Sequence, residues 1–223
     1  MSEPTTIRPR SFLFTLYGDY VQQLTPEGAS SASLVRLAAD FGGRATALRS
    51  AVSRMTDEGW LERVRLDGRP AYRLGSAGKT LIEEGVSRIY QRRVQRLGVA
   101  DAVTVHLGSL ERPHDPSQLV RRAWDLNALA RRYEDFNSRS RRAMAQMMLL
   151  KDGERLRQAD AFRSRFRLTH EYWRFPFGDP DLPAQLLPHP WIGALAREAF
   201  LAYSSLLKPA AEAYYLSVAH NRG

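Results

Sequence analysis

The sequence predicts a mainly α protein with a small β component: an N-terminal winged helix-turn-helix, a short α/β remnant and a helical C-terminal domain. Three observations predict it. Apolar residues recur at helical spacing through most of the chain. Two short alternating segments, Trp60 to Arg65 and Ala71 to Leu74, flank an Asp67-Gly68 pair, a strong hairpin signal. The elements arrive as helix, helix, tight turn, helix, strand, turn, strand, which is the order a winged helix needs.

From Ser11 to Leu24, the residues Leu13, Leu16, Tyr17, Tyr20, Val21 and Leu24 define one buried face, and Thr25-Pro26-Glu27-Gly28 stops the helix. Ser30 or Ser31 caps a second helix carrying Leu34, Leu37 and Ala38 inward, which ends at Phe41-Gly42-Gly43. A third helix runs from about Arg44 to Glu58 on a core face of Leu48, Val52 and Met55, with Gly59 as its stop. After Gly75 to Gly78, a connector helix runs from Lys79 to about Arg93 with Leu81, Ile82, Val86 and Ile89 on one side. A short strand is expected near Val103 to Leu107, and a helix capped by Asp115-Pro116 through Trp124. Helices then span Leu126 to Arg141, a Met-rich stretch through Leu150, and Gln158 to Trp173. A Pro-rich loop, 176–190, precedes a final helix from Trp191 to His220, bent at Pro209. The domains expected are 1–78, 79–124 and 125–223.

Charge narrows the function. Thirty-three Lys+Arg against 24 Asp+Glu give +9, and the pI is near 10.2, so polyanions are attracted at long range. Most of the basic residues are arginine, whose planar fork binds phosphate or guanine in a bidentate way that lysine cannot reproduce. The absence of cysteine excludes disulfides, thiolate metal sites and cysteine nucleophiles. The start, MSEPTTIRPR, lacks the apolar core of a signal peptide, and no stretch reaches membrane-spanning length, so a cytoplasmic protein without membrane contact is expected.

On the third helix, Thr46, Ser50 and Ser53 lie opposite the core stripe with Arg49 and Arg54 beside them, a face suited to the major groove. Arg44 and Thr46 stand at its N-terminus, where recognition helices meet bases or phosphates. Arg65, Arg69 and Arg73 surround the hairpin turn and are placed to reach phosphates or the minor groove, and Arg8 and Arg10 add basic charge ahead of the first helix. An arginine-bearing face is also what a plain solvated surface looks like. The order of the elements favours double-stranded DNA.

The residues also resemble a known family. Arg10-Ser11-Phe12-Leu13-Phe14-Thr15-Leu16-Tyr17-Gly18-Asp19-Tyr20, then Arg49 to Met55 with Glu58-Gly59-Trp60-Leu61, and Gly68 to Leu74 look like the PaaX family of bacterial repressors of phenylacetate degradation. Trp124-Asp125-Leu126, His170 to Arg174, Asp179 to Pro183 and Leu186 to Gly193 are similar to that family's C-terminal signature. The resemblance implies a homodimeric repressor that releases its operator on binding an aryl-coenzyme A thioester such as phenylacetyl-CoA. It also implies a central ferredoxin-like domain, of which only a remnant near Leu97 to Leu107 is visible. A naturally shortened member and a segment missing from the sequence both fit, and a strand without an obvious partner favours the second.

A CoA thioester joins phosphate charges to an apolar acyl group, so its site needs arginines beside aromatic walls. Arg163, Phe166, Arg167, Tyr172, Trp173 and Arg174 offer that pairing, with Phe162 and Arg165 among them. Core phenylalanines with a solvated arginine face give the same pattern. No other cofactor and no metal is expected. The five histidines show no metal-ligand or triad spacing. His170-Glu171 and the pair Asp179 and Asp181 read as surface or capping groups, and Asp40-Phe41-Gly42 as a helix-ending turn that mimics a kinase triplet. The chain therefore reads as a non-enzyme, with a nonspecific DNA-binding protein as the alternative.

Overall fold

Pro9 opens the first helix, α1 (Pro9–Leu16), where its missing N–H is no loss. This is the beginning of a computed structural model that describes residues 7–90, 120, 122–148, 157–175, 178–180, 182 and 184–220. The helix continues through a π-helical turn, Tyr17–Val21, and a final turn, Gln22–Leu24, so it reaches the stop the sequence predicts. All five residues of the π turn are buried, which means protein surrounds the helix there on every side. Sequence periodicity did not anticipate that turn, because a single inserted residue hardly disturbs an apolar pattern.

Ser30 caps α2 (Ser31–Ala39), its hydroxyl accepting from the Ser33 N–H at 3.0 Å. Gly42, at φ 72°, turns the chain into α3 (Ala45–Asp57), which buries Leu48, Ala51, Val52 and Met55. The hairpin follows as β2 (Leu61–Leu66) and β3 (Arg69–Leu74), with Leu61 opposite Leu74 and Leu66 opposite Arg69. Asp67 and Gly68 both take positive φ, 50° and 76°, the pairing a tight two-residue hairpin turn demands. A strand the sequence did not suggest, β1 (Ala29–Ser30), pairs antiparallel with β3 and makes a three-stranded sheet in the order β1-β3-β2. Two residues are too few for an alternation to be read.

The connector helix, α4 (Ser76–Tyr90), begins three residues before the expected Lys79, since the Lys79 N–H already bonds the Gly75 carbonyl at 2.9 Å. The expected strand near Val103 to Leu107 and the cap at Asp115-Pro116 lie outside the described residues, as does Asp181. Asp125 caps α5 (Leu126–Met148) by accepting from the Ala128 N–H at 2.8 Å. One helix thus covers both the expected segment to Arg141 and most of the Met-rich stretch. α6 (Gln158–Tyr172) and α7 (Ile192–Ala219) pack along each other, α5 lies against α7, and α7 runs through Pro209 as a single element. Phe200, Tyr203, Leu207, Tyr215 and Val218 are buried within the chain, so they close its core.

The N-terminal elements and the C-terminal helices share one hydrophobic core. Phe12 of α1 and Phe41 of the α2–α3 turn both contact Phe166 of α6, with ring centroids 5.1 and 4.5 Å apart. Between them sits a buried ion pair. Arg165 donates to both carboxylate oxygens of Asp19 at 2.6 and 3.0 Å, and the Thr169 hydroxyl adds a third bond at 3.2 Å. The Arg165 and Asp19 side chains are 4% and 0% exposed. Gly18 makes the approach possible, because a Cβ there would stand 2.1 Å from the Trp173 ring.

Removing one partner of such a pair strands a buried charge. Asp19→Ala is expected to lower unfolding stability by about 3–5 kcal/mol, whereas Glu62→Ala, which breaks the exposed cross-strand pair with Arg73, costs under about 1 kcal/mol. Urea titrations of both variants against the parent chain measure the difference.

Candidate nucleic-acid interface

Helix α3 buries one face and presents the other. Arg44, Thr46, Arg49, Ser50, Ser53 and Arg54 are all exposed. Arg44 is the N-cap and its side chain makes no capping bond, so the first-turn N–H groups are left to other acceptors. Ser50 donates back to the Thr46 carbonyl at 3.1 Å, which spends its proton within the helix and leaves its oxygen as an acceptor. No carboxylate among the described residues pairs with Arg44, Arg49 or Arg54. This is a one-sided cationic face on a rigid helix.

The wing arginines differ from one another. Arg65 donates to the Gly68 carbonyl at 2.9 Å and braces the turn, while Arg69 is exposed next to it. Arg73 is held by Glu62 directly opposite it in register, so part of its charge is already answered. Arg63 is exposed on β2 two residues before Arg65 and therefore on the same strand face. Sequence reading passed over it, although the i, i+2 spacing was the available signal. Arg8 is exposed, and Arg10 lies over the Trp60 ring at 5.0 Å and pairs with Glu58 at 2.6 Å, a structural brace beside the α3 C-terminus.

The C-terminal candidates separate. Phe166, Tyr172 and Trp173 are buried: Phe166 packs on Phe12 and Phe41, Tyr172 stacks on Phe200 at 4.1 Å, and Trp173 meets Phe14 edge-on at 5.1 Å. Arg163 pairs with Asp160 and stands 3.7 Å from Asp40, and Arg167 lies 5.9 Å above the Phe41 ring. Both arginines therefore touch the turn leading into α3. Arg174 points elsewhere and lines a shallow cleft of about 140 Å³ with Arg132, Asp135, Arg139, Glu171 and Phe175. Arg139 and Glu171 are paired within it. The cleft is smaller than most small-molecule sites, which start at roughly 300 Å³.

His170, expected at the surface, is half-buried at the junction and shares a 2.8 Å hydrogen bond with Thr15 of α1. Burial and the Arg174 charge push its pKa below the usual 6.5. No group of His, Asp and Glu among the described residues is arranged to hold a metal ion, and no described helix is long and apolar enough to cross a membrane.

Residues 8–78 match the family described as PaaX-like protein, and residues 124–217 match the PaaX-like protein C-terminal domain. A transcriptional repressor, PaaX of Escherichia coli (strain K12), is 25% identical over 264 residues, a match covering 92% of this chain and 82% of the relative. That stretch is longer than the 223 residues of this chain, so the relative carries residues with no counterpart here. The two family matches leave 79–123 between them.

A histidine whose folded-state pKa is depressed binds fewer protons folded than unfolded, so stability falls as pH drops below about 6.5. His170→Gln should flatten that part of the stability profile between pH 8 and 5, read from thermal unfolding at a series of pH values. A profile as steep as the parent's would remove His170 as its source.

Proposed function

The chain belongs to the PaaX-like family, matched in both its N-terminal and C-terminal parts, and on that premise we propose that it is a cytoplasmic, non-enzymatic transcriptional repressor of an aromatic-acid catabolic operon, that of phenylacetate breakdown. The observation that carries the reading is the exposed α3 face, where Arg44, Arg49 and Arg54 meet no carboxylate among the described residues and polar side chains lie between them. In this reading α3 enters the major groove, with Arg49 and Arg54 reading bases and Ser53 and Thr46 completing the face. Arg63, Arg65 and Arg69 carry the wing to neighbouring phosphates. Two copies bind a two-fold operator with half-sites about one turn apart, near ~34 Å.

An aryl-CoA thioester releases the operator in this reading. Of the C-terminal candidates, the three aromatic residues are core, so a ligand meets Arg163, Arg167 and Arg174 first. Arg174 is the one beside a concavity with an aromatic wall, Phe175.

The test is a titration of the purified protein against a labelled fragment of its own upstream region and a scrambled control, at physiological salt, with and without phenylacetyl-CoA. Selective binding abolished by the thioester is expected. Binding without selectivity, with a steep salt slope, would make this a nonspecific DNA-binding protein instead. Arg49→Ala or Arg54→Ala is expected to reduce discrimination by about 1–3 kcal/mol, while Arg69→Ala weakens operator and scrambled DNA alike. In the same assay Arg174→Ala should raise the thioester concentration needed for release and leave operator affinity unchanged.

A further inference from the structure

We propose that the DNA-facing elements and the C-terminal helices of this chain move as one body, with Asp19 and Arg165 as the positioning residues that fix α3 relative to α6 and α7. The DNA-facing role rests on the function proposed above; the rigidity does not.

A repressor in which a ligand-binding half swivels its DNA-reading half needs a hinge between them. The junction here is built in the opposite way. Polar contacts cross it from five residues spread along the N-terminal part: Thr15 to His170, Asp19 to Arg165 and Thr169, Thr25 to Tyr215, Ser33 to the Val218 carbonyl, and Asp40 to Tyr214 and Arg163. They start on α1, on the loop after it, on α2 and at the α2–α3 turn, and they end on both α6 and α7. A hinge rotation about one of them stretches those that lie off its axis. Phe12, Phe41, Phe162 and Phe166 fill the space between with ring contacts of 4.5 to 5.9 Å.

The ion pair sets direction as well as distance. A guanidinium that reaches both oxygens of one carboxylate fixes the angle between the groups as well as their separation. The π turn is what carries Asp19 into that position, and the absent Cβ of Gly18 lets Trp173 close over it. Sliding α1 along α6 by a turn would separate two charges that are 0% and 4% exposed. Apolar faces alone allow such a slide. A ligand seated on the C-terminal helices away from the α2–α3 turn therefore moves the DNA-facing surface only by moving the whole body.

The chain contains no cysteine, so two introduced ones give unambiguous labelling. Spin labels at Gln23→Cys and Ser138→Cys, both exposed positions on α1's last turn and on α5, report the distance across the junction in the full chain. Dilution with unlabelled protein removes distances between copies. The measurement is made on the free protein, with the upstream DNA fragment, and with phenylacetyl-CoA. One narrow distance with the same mean within about 2 Å in all three is expected. A larger shift, or a second population in any of them, overturns the proposal. Failure to prefer the upstream fragment over scrambled DNA sinks the functional reading alone, since the free and thioester measurements still decide the rigidity. Asp19→Asn should broaden the distance distribution at least twofold. Arg165→Lys, which keeps the charge and loses the fork, should broaden it as well. A distribution as narrow as the parent's in a folded variant would show that the pair does not position the junction.

Discussion

The Asp19–Arg165 pair is the constraint on which the arrangement of this chain depends. Two charges are held away from water, a cost that their mutual attraction and their hydrogen bonds have to offset. Here both carboxylate oxygens and a neighbouring hydroxyl are engaged. From this point the geometry passes outward in steps. Asp19 fixes α1, and two residues earlier on the same helix the Tyr17 hydroxyl donates to the Tyr72 carbonyl of β3 at 2.8 Å. β3 carries both β1 and the wing. The orientation of the wing thus traces back to a residue in α6.

The arginines show how one residue type divides among roles that composition cannot separate. Arg165 is buried and structural, and its loss would strand a carboxylate. Arg10, Arg73 and Arg139 are paired at the surface, where a bond of that kind contributes little to stability but does occupy the cation. Arg44, Arg49, Arg54 and Arg63 are exposed and meet no carboxylate among the described residues. This last group keeps its charge available to a polyanion, and all four lie on α3, at its N-cap, or on β2. A net charge of +9 draws a nucleic acid close, and in the function proposed above this set is the surface it meets.

Much of this was legible in the sequence because it is local. The core stripe of α3, the Ser30 cap and the Asp67-Gly68 turn depend on neighbours within a few residues, so periodicity and turn chemistry find them. The π turn, the two-residue β1 and the partner of Asp19 were not legible. Each depends on residues far along the chain, and for Asp19 the separation is 146 positions. The DNA-facing candidates were readable as a set, although Arg73's pairing with Glu62 required the strand register. In the C-terminal part, phenylalanines and arginines four apart suit both a ligand wall and a packed core with a charged rim. Burial of Phe162 and Phe166 at 0% places those two in the core.

That outcome changes what the remaining arginines do. Asp40-Phe41-Gly42 resembles a catalytic triplet in sequence and proves to be the turn that delivers the chain into α3. Asp40 accepts from Tyr214 and faces Arg163, and Phe41 is buried among Phe12, Phe162 and Phe166 with Arg167 above its ring. Residues first grouped as a ligand cradle therefore grip the helix-turn-helix at its turn. A group that binds Arg163 or Arg167 competes with Asp40 or with Phe41, and so acts on the start of α3 without an intervening relay. Arg174 has no such contact, and a ligand in its cleft reaches α3 only through the body that Asp19 and Arg165 hold together. The two sites predict different consequences for DNA binding because one touches the turn and the other touches only the frame.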